Sequence, residues 1–224
     1  IDIPYTERKI PRKACVRSWP IQETNGLVMV WYHPDGDAPS YQIPVLSEYE
    51  SDEWTDFDTR RWKIRTHNQE MAENSVDVAH FRYLHGTQNL PTATATPEGA
   101  VFNVQSNTVM KTPGGMVEGN ILVECHGFGF TTTRFVGLVE TLLISSATTI
   151  DEDYVDVRFT FAVKKFGGRD ITKGVGAAFI REITRQLEQD IPIWENKKFV
   201  PSPMLVDNDG PIGQYRKWCQ QFYG

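Results

Sequence analysis

Between residues 100 and 165 the chain offers five strand-like runs in close succession, 100–111, 116–126, 129–138, 140–150 and 154–165, all rich in Val, Ile, Thr and Phe. Pro113-Gly114-Gly115 and Asp151-Glu152-Asp153 mark two of the turns between them. Gaps this short cannot hold the long crossover that a parallel pair needs, so the runs pair as antiparallel hairpins. Residues 174–198 then read as one long helix, because Phe179, Ile180, Ile183, Leu187, Ile191 and Trp194 recur at a helical period. The predicted class is α+β: an antiparallel curved sheet packed on a long C-terminal helix, a helix-grip arrangement. A curved sheet closed by a helix leaves a cavity between them that suits an apolar ligand.

The remaining segments are placed around that core. Residues 68–85 hold many helix formers and no Gly or Pro, and Gly86 follows at once, which predicts a helix ending there. Residues 26–33 read as a strand before the turn Pro34-Asp35-Gly36, 34–58 as an irregular boundary, and 87–99 as a polar loop with Pro91 and Pro97. Residues 1–24 read as an arm, and the tail 199–224 wraps back onto the body. A chain of 224 residues, 40% of them hydrophobic, builds one sizeable core. The formal net charge of -6 argues against nucleic acid as a partner. The one basic cluster, Arg60, Arg61, Lys63 and Arg65, reads as a solvated strand or sheet edge; docking of an acidic electron-transfer partner is the weaker reading. There is no apolar run of about 18 residues, hence no transmembrane segment. Cys15, Cys125 and Cys219 are widely spaced and lack any Cys-x-x-Cys or Cys-x-x-His pattern, which fits a reducing cytoplasm and no cysteine-held cluster in this chain. The start, Ile1-Asp2-Ile3-Pro4-Tyr5, has neither Met nor a signal-peptide pattern and reads as the interior of a longer protein.

Two features carry chemistry. The first is Asn74-x-x-Asp77-x-x-His80-x-x-x-x-His85. Five residues along a straight helix put His80 and His85 about 140° apart in azimuth. They share a metal only if the helix bends or ends between them, and Gly86 argues that it ends near there. The second is Asp190, which falls in the apolar stripe of Ile183, Leu187 and Trp194. A carboxylate there is costly unless paired or bound to a cation. Two histidines and one carboxylate on one face of a ferrous ion would resolve that conflict and leave open coordination positions. The plainer alternatives are a surface role for each histidine and an ion pair of Asp190 with Lys197 or Arg185. His33, His67 and His126 have no such company and read as structural or surface residues.

The run from Glu73 to Gly86 resembles the iron-binding helix of the catalytic subunits of Rieske non-haem iron oxygenases. Gln189-Asp190-Ile191-Pro192-Ile193-Trp194-Glu195-Asn196-Lys197 resembles the second ligand helix of the 3-ketosteroid 9α-hydroxylase oxygenase and cholesterol 7-desaturase branch. The tail, with Asp209-Gly210-Pro211 and Tyr215-Arg216-Lys217-Trp218, is similar to theirs as well. The resemblance implies a START-like catalytic domain, with His80, His85 and Asp190 holding mononuclear Fe(II). It implies that Asp77 bridges ligand His80 to a cluster-ligating histidine of a neighbouring subunit and so carries electrons. Asn74 falls where some members place a polar residue near the iron; a helix-surface amide is the alternative.

The family's Rieske [2Fe–2S] ligands, Cys-x-His and Cys-x-x-His, are absent from this chain. Residues 1–40 resemble the end of that domain and its linker, and 41–224 the catalytic domain. The implied activity is dioxygen-dependent hydroxylation or desaturation of an apolar substrate, a steroid or sterol. Electrons come from NAD(P)H through a reductase or ferredoxin, and the implied assembly is a homotrimer. An aromatic acid or aryl ether is the alternative substrate, for which Arg134 or Arg158 would have to serve; surface ion pairs are the commoner use of such residues. A metal-free lipid-binding START-like module is the non-enzymatic alternative. A zinc hydrolase lacks a general base beside the ligands.

Overall fold

The computed structural model describes residues 4–88, 90–112, 115–137 and 139–223, without the side chains of residues 108 and 110–112. Pro113 and Gly114 of the expected turn, Leu138 and the stretch Ile1-Asp2-Ile3 lie outside the described residues. The chain divides into two compact units, Ile1–Val45 and Leu46–Gly224.

In the first unit, β1 (Ile21–Thr24) and β2 (Leu27–Val30) form an antiparallel hairpin. The Gln22 side chain both donates to the Ile43 carbonyl, at 2.7 Å, and accepts from the Ile43 N–H, at 3.1 Å, tying residue 43 to the hairpin.

The second unit is built on one seven-stranded antiparallel sheet. Its strands are β3 (Asp58–Ile64), β4 (Ala93–Glu98), β5 (Val101–Thr112), β6 (Gly115–His126), β7 (Phe130–Val136), β8 (Thr141–Thr149) and β9 (Val155–Val163). They lie in the order β3-β9-β8-β7-β6-β5-β4. The five expected runs became β5 to β9, neighbour to neighbour, as short hairpin connections require. The helices are α1 (Asn68–Glu73), α2 (Ala79–Tyr83), α3 (Val175–Asn196) and α4 (Ile212–Cys219). The stripe of α3 at Ile180, Ile183, Leu187 and Trp194 packs on Leu143, Ala147, Val157 and Phe159 of the sheet. This is the expected helix-grip, and one face of the sheet is closed by it.

β1 lies within the expected arm of residues 1–24, and in the second unit three local readings differ from the sequence pattern. The single helix expected over 68–85 is two helices, α1 and α2, with turns at residues 74–76 between them. Asn74-Ser75-Val76-Asp77-Val78 explains the break: Asn, Ser and Asp offer the backbone competing hydrogen bonds, and the valines are β-branched. The exit tightens through contacts three residues apart, Ser75 N to Ala72 O and Val76 N to Glu73 O. The loop expected over 87–99 contains β4, whose Pro97 is tolerated because β4 is an edge strand. The tail contains α4, whose Tyr215, Trp218 and Cys219 are buried against Phe102, Val104 and Val76 in a second core.

The basic cluster is the other edge strand, β3, and its charges are used locally. Arg61 pairs with Asp156 at 2.6 Å, Arg60 donates to Thr184 at 3.0 Å, Lys63 lies over the Tyr154 ring, and Arg65 donates to the Glu195 carbonyl.

The tail also clamps the break between α1 and α2. Gly210 has φ of +80°, and a Cβ placed there would stand 2.0 Å from the Val76 carbonyl oxygen. Only glycine meets both conditions. Behind it, the carboxylate of Glu73, at the end of α1, accepts from Arg216 of α4 at 2.6 and 2.9 Å and from Lys197, just after α3, at 2.8 Å. Lys197 also pairs with Glu70 at 2.6 Å.

Gly210→Ala is expected to destabilise the fold by about 2 kcal/mol or more, through backbone strain and collision with Val76; the urea midpoint measures it, and an unchanged midpoint would show that the tail does not clamp the break. A second expectation concerns acid. Burial alone would raise the Glu73 pKa, but its bonds to Arg216 and Lys197 outweigh this and hold it below the usual value of 4.5. The unfolded chain therefore takes up this proton first, so the stabilisation is complete above about pH 5 and is lost as pH falls through 4.5 toward the folded value. Glu73→Gln should flatten the fall of the urea midpoint between about pH 5 and pH 3 relative to the parent; parallel curves would remove Glu73 from the acid response.

Candidate metal centre

α2 is one short turn, and its two ends set the positions of the histidines. At its start the Asp77 Oδ1 accepts the His80 backbone N–H at 3.3 Å, an N-terminal capping contact. At its end the Leu84 N–H bonds to the His80 carbonyl and the Thr87 N–H to the Phe81 carbonyl, around Gly86 at φ +76°. This glycine-terminated cap makes the chain turn immediately after His85. His80 thus lies in the helix and His85 beyond it. Their rings approach to 5.0 Å between centroids at 81°, which a straight helix would not allow.

Asp190 reaches the same point from α3. It is only 7% exposed and sits in the stripe between Leu187 and Trp194. Its Oδ1 is 3.3 Å from His85 Nε2, whose side chain is 1% exposed. One ligand atom from each of His80, His85 and Asp190 lies within 4.8 Å of the others. Lys197 and Arg185, the alternative partners for Asp190, are engaged elsewhere: Lys197 with Glu70 and Glu73, Arg185 with Glu182.

Each of the three has its other polar atom tied. His80 Nδ1 donates to the Asp77 backbone carbonyl. His85 Nδ1 donates to Gln189 Oε1 at 3.1 Å. In a neutral imidazole such a bond places the proton on Nδ1 and leaves Nε2 free, the form that binds a metal. Asn74 Nδ2 donates to Asp190 Oδ2 at 3.0 Å and lies 3.5 Å from His80 Nε2. The amide holds one carboxylate oxygen and leaves Oδ1 beside His85 Nε2. Burial pushes the His80 pKa below its ordinary value, against the pull of Asp190 and the bond to the Asp77 carbonyl. That keeps the ring neutral. Two neutral imidazoles and one carboxylate are the donor set that suits ferrous iron with open positions, so the side chains fit the group.

Asn74 therefore faces the site rather than solvent. Asp77 meets the His80 ring through its backbone carbonyl, while its carboxylate caps α2. The contact of Gln189 with His85 has no counterpart in the sequence pattern. The need of His85 for an acceptor at Nδ1 was the available signal, but nothing local in the sequence joins residues 85 and 189.

The three side chains open into a partly open cavity of about 160 Å³ between the sheet, α1 and α3. Its wall is mostly apolar, with Phe135, Leu143, Phe159, Leu187 and Trp194, and among the described residues none lining it is Lys or Arg. Arg134 is engaged with Glu48 at 2.7 Å and Glu124 at 2.6 Å, and Arg158 with Asp156. No described helix is long and apolar enough to cross a membrane.

Comparison with known proteins agrees with this architecture. A solved Pseudomonas putida CBB5 structure, NdmA with caffeine, matches with a TM-score of 0.76 at 18% identity, covering 96% of this chain and 64% of that one. Dicamba monooxygenase with 3,6-dichlorosalicylic acid matches with a TM-score of 0.73 at 12% identity, covering 98% of this chain and 74% of that one. In sequence, the cholesterol 7-desaturase of Caenorhabditis elegans is 29% identical over 252 residues, covering all of this chain and 58% of that protein. A 3-ketosteroid-9-alpha-monooxygenase oxygenase component of Rhodococcus rhodochrous is 32% identical over 256 residues, covering 99% of this chain and 62% of that protein. The chain thus spans about three-fifths of the length of the curated relatives it matches. Residues 30–223 match the family model described as the 3-ketosteroid 9alpha-hydroxylase C-terminal domain. This chain belongs to that family.

Proposed function

We propose that this chain is the catalytic part of an oxygenase that hydroxylates or desaturates a steroid or sterol at mononuclear Fe(II), held by His80, His85 and Asp190. The observation that carries the reading is the convergence of three ligand atoms within 4.8 Å on an apolar cavity, each residue fixed by a separate hydrogen bond. When bound, the iron supplies dioxygen-dependent oxidation of an unactivated C–H bond. The chain's own residues do the rest. His80 and His85 present neutral nitrogens, and Asp190 offers one charged oxygen because Asn74 occupies the other. The apolar wall excludes water and holds a substrate by shape. The absence of a cationic side chain among the described lining residues favours an uncharged steroid over an aromatic acid.

Residues 1–40 are read as the end of a Rieske domain and linker, and 41–224 as the catalytic domain. The [2Fe–2S] cluster is ligated outside this chain, and a reductase or ferredoxin feeds it from NAD(P)H. The name "oxygenase component" of the relatives supports such a partner. A homotrimer would let Asp77 join the His80 of one subunit to the cluster of its neighbour.

Loaded anaerobically with ferrous iron, this chain is expected to hold about one iron, and His80→Ala and Asp190→Ala to hold none. A folded parent chain that takes up no iron would sink the oxygenase reading. Gln189→Leu should keep the fold and weaken iron binding about 10- to 100-fold, because His85 loses the bond that fixes its tautomer; undiminished affinity would leave Gln189 without a role. In the intact protein, Asp77→Ala is expected to retain iron and lose turnover, and normal turnover would refute the bridging role.

A further inference from the structure

Asn68 opens α1 and stands in the cavity wall. Its Nδ2 donates to the Ala147 carbonyl of β8 at 3.2 Å. That bond fixes which way the amide faces, since the reversed amide would set its oxygen against a carbonyl oxygen. Oδ1 is left buried, with no hydrogen-bond partner among the described residues. A buried acceptor in that condition is costly, and native structures rarely keep one without a use.

The nearby lining separates two kinds of polar group. Ser145 lies two residues before Ala147 on β8, and Thr131 is its register partner on β7. Their hydroxyls can donate or accept, so they suit a ligand alcohol and a ligand ketone alike. Asn68 Oδ1 can only accept. An alcohol would satisfy it, whereas a ketone would bring one acceptor against another. The oxygen is sealed from water as folded, so accepting from an alcohol requires the wall beside it to shift. Met71, one turn along α1 and also in the wall, is unbranched and changes rotamer readily.

We propose that Asn68 is a specificity-determining residue that selects a steroid alcohol over the ketone of the same skeleton, by accepting the alcohol's O–H at Oδ1. The proposal rests on the steroid reading above and sharpens it. The relatives are named for both chemistries, ketosteroids on one side and cholesterol, an alcohol, on the other. The unsatisfied acceptor puts this chain with the alcohols.

The test is equilibrium binding of cholestanol and cholestanone, which share a skeleton and differ at one oxygen, to the intact iron-loaded protein. Cholestanol is expected to bind at least about tenfold more tightly. Asn68→Ala should bring the two affinities together, and Ser145→Ala should leave the preference in place. Asn68→Leu, closer in volume, serves as a second variant should the alanine form fail to fold. Equal binding of both ligands by the parent, or a preference that survives loss of Asn68, would overturn the role of Asn68 and leave the steroid reading standing. Binding of neither ligand would overturn the steroid reading and this proposal with it.

Discussion

A carboxylate buried in the apolar stripe of a long helix is the constraint around which this structure is arranged. α3 must lay Ile183, Leu187 and Trp194 on the sheet, and that carries Asp190 into the same closed space. An unpaired charge there would destabilise the fold. The chain answers with the Asn74 amide on Oδ2, while the unprotonated Nε2 of His85, 3.3 Å from Oδ1, offers the other oxygen no proton. Neither is a permanent cation. The site is thus well formed yet electrostatically incomplete, as suits a cation-binding centre better than a structural ion pair. The real ion pairs nearby, Lys197 with Glu70 and Glu73, stand outside the cavity and serve packing.

Delivering Asn74, His80 and His85 to one point requires that the helix formed by their segment be broken. The break after α1 aims the Asn74 side chain at Asp190, and the stop at Gly86 swings His85 back toward His80. Short helical pieces are marginal alone, so their positions must be imposed from outside. The tail does this: Gly210 seats on the Val76 carbonyl, Tyr215 donates to the Gln69 carbonyl at 3.0 Å, and Arg216 grips Glu73. The similarity of Asp209-Gly210-Pro211 and Tyr215-Arg216-Lys217-Trp218 to the steroid-oxygenase tails then has a physical meaning. None of these residues lines the cavity, but they hold the segment that carries His80 and His85.

What the sequence made legible follows from the range of the forces involved. Period-two runs with short gaps and a period-3.6 stripe are local signals, and β5 to β9 and α3 came out within a few residues of expectation. Asp190 was legible as a conflict, a charge in an apolar pattern. The division of 68–85 was not, because Asn74 to Val78 contain no Gly or Pro and the competing side-chain bonds leave no periodic mark. β4 was hidden by Pro97, which only an edge position permits, and edge position is a property of the whole sheet. Gln189 and Asn68 were invisible for a further reason. Each matters through one atom facing a partner 79 to 104 residues away, and no pattern of either neighbourhood encodes that.

The cavity completes the logic of the centre. With apolar walls and no cationic side chain among the described lining residues, it has no strong anchor for a charged substrate. Orientation must come from shape and from a few neutral hydrogen bonds. Such contacts discriminate best when one partner can only donate or only accept, since a mismatch then leaves a buried group unpaired. Hydroxyl side chains such as Ser145 and Thr131 tolerate either kind of ligand, and an amide pinned at one end by Ala147 does not. The same device thus recurs at both ends of α1. At its C-terminal end Asn74 gives its N–H₂ to Asp190 Oδ2 and leaves Oδ1 uncovered by the amide; at its first residue Asn68 gives its N–H₂ to the sheet and leaves its carbonyl oxygen without a partner among the described residues. On the proposed readings, a neutral amide in both places sets the identity of what binds by being fixed on one side.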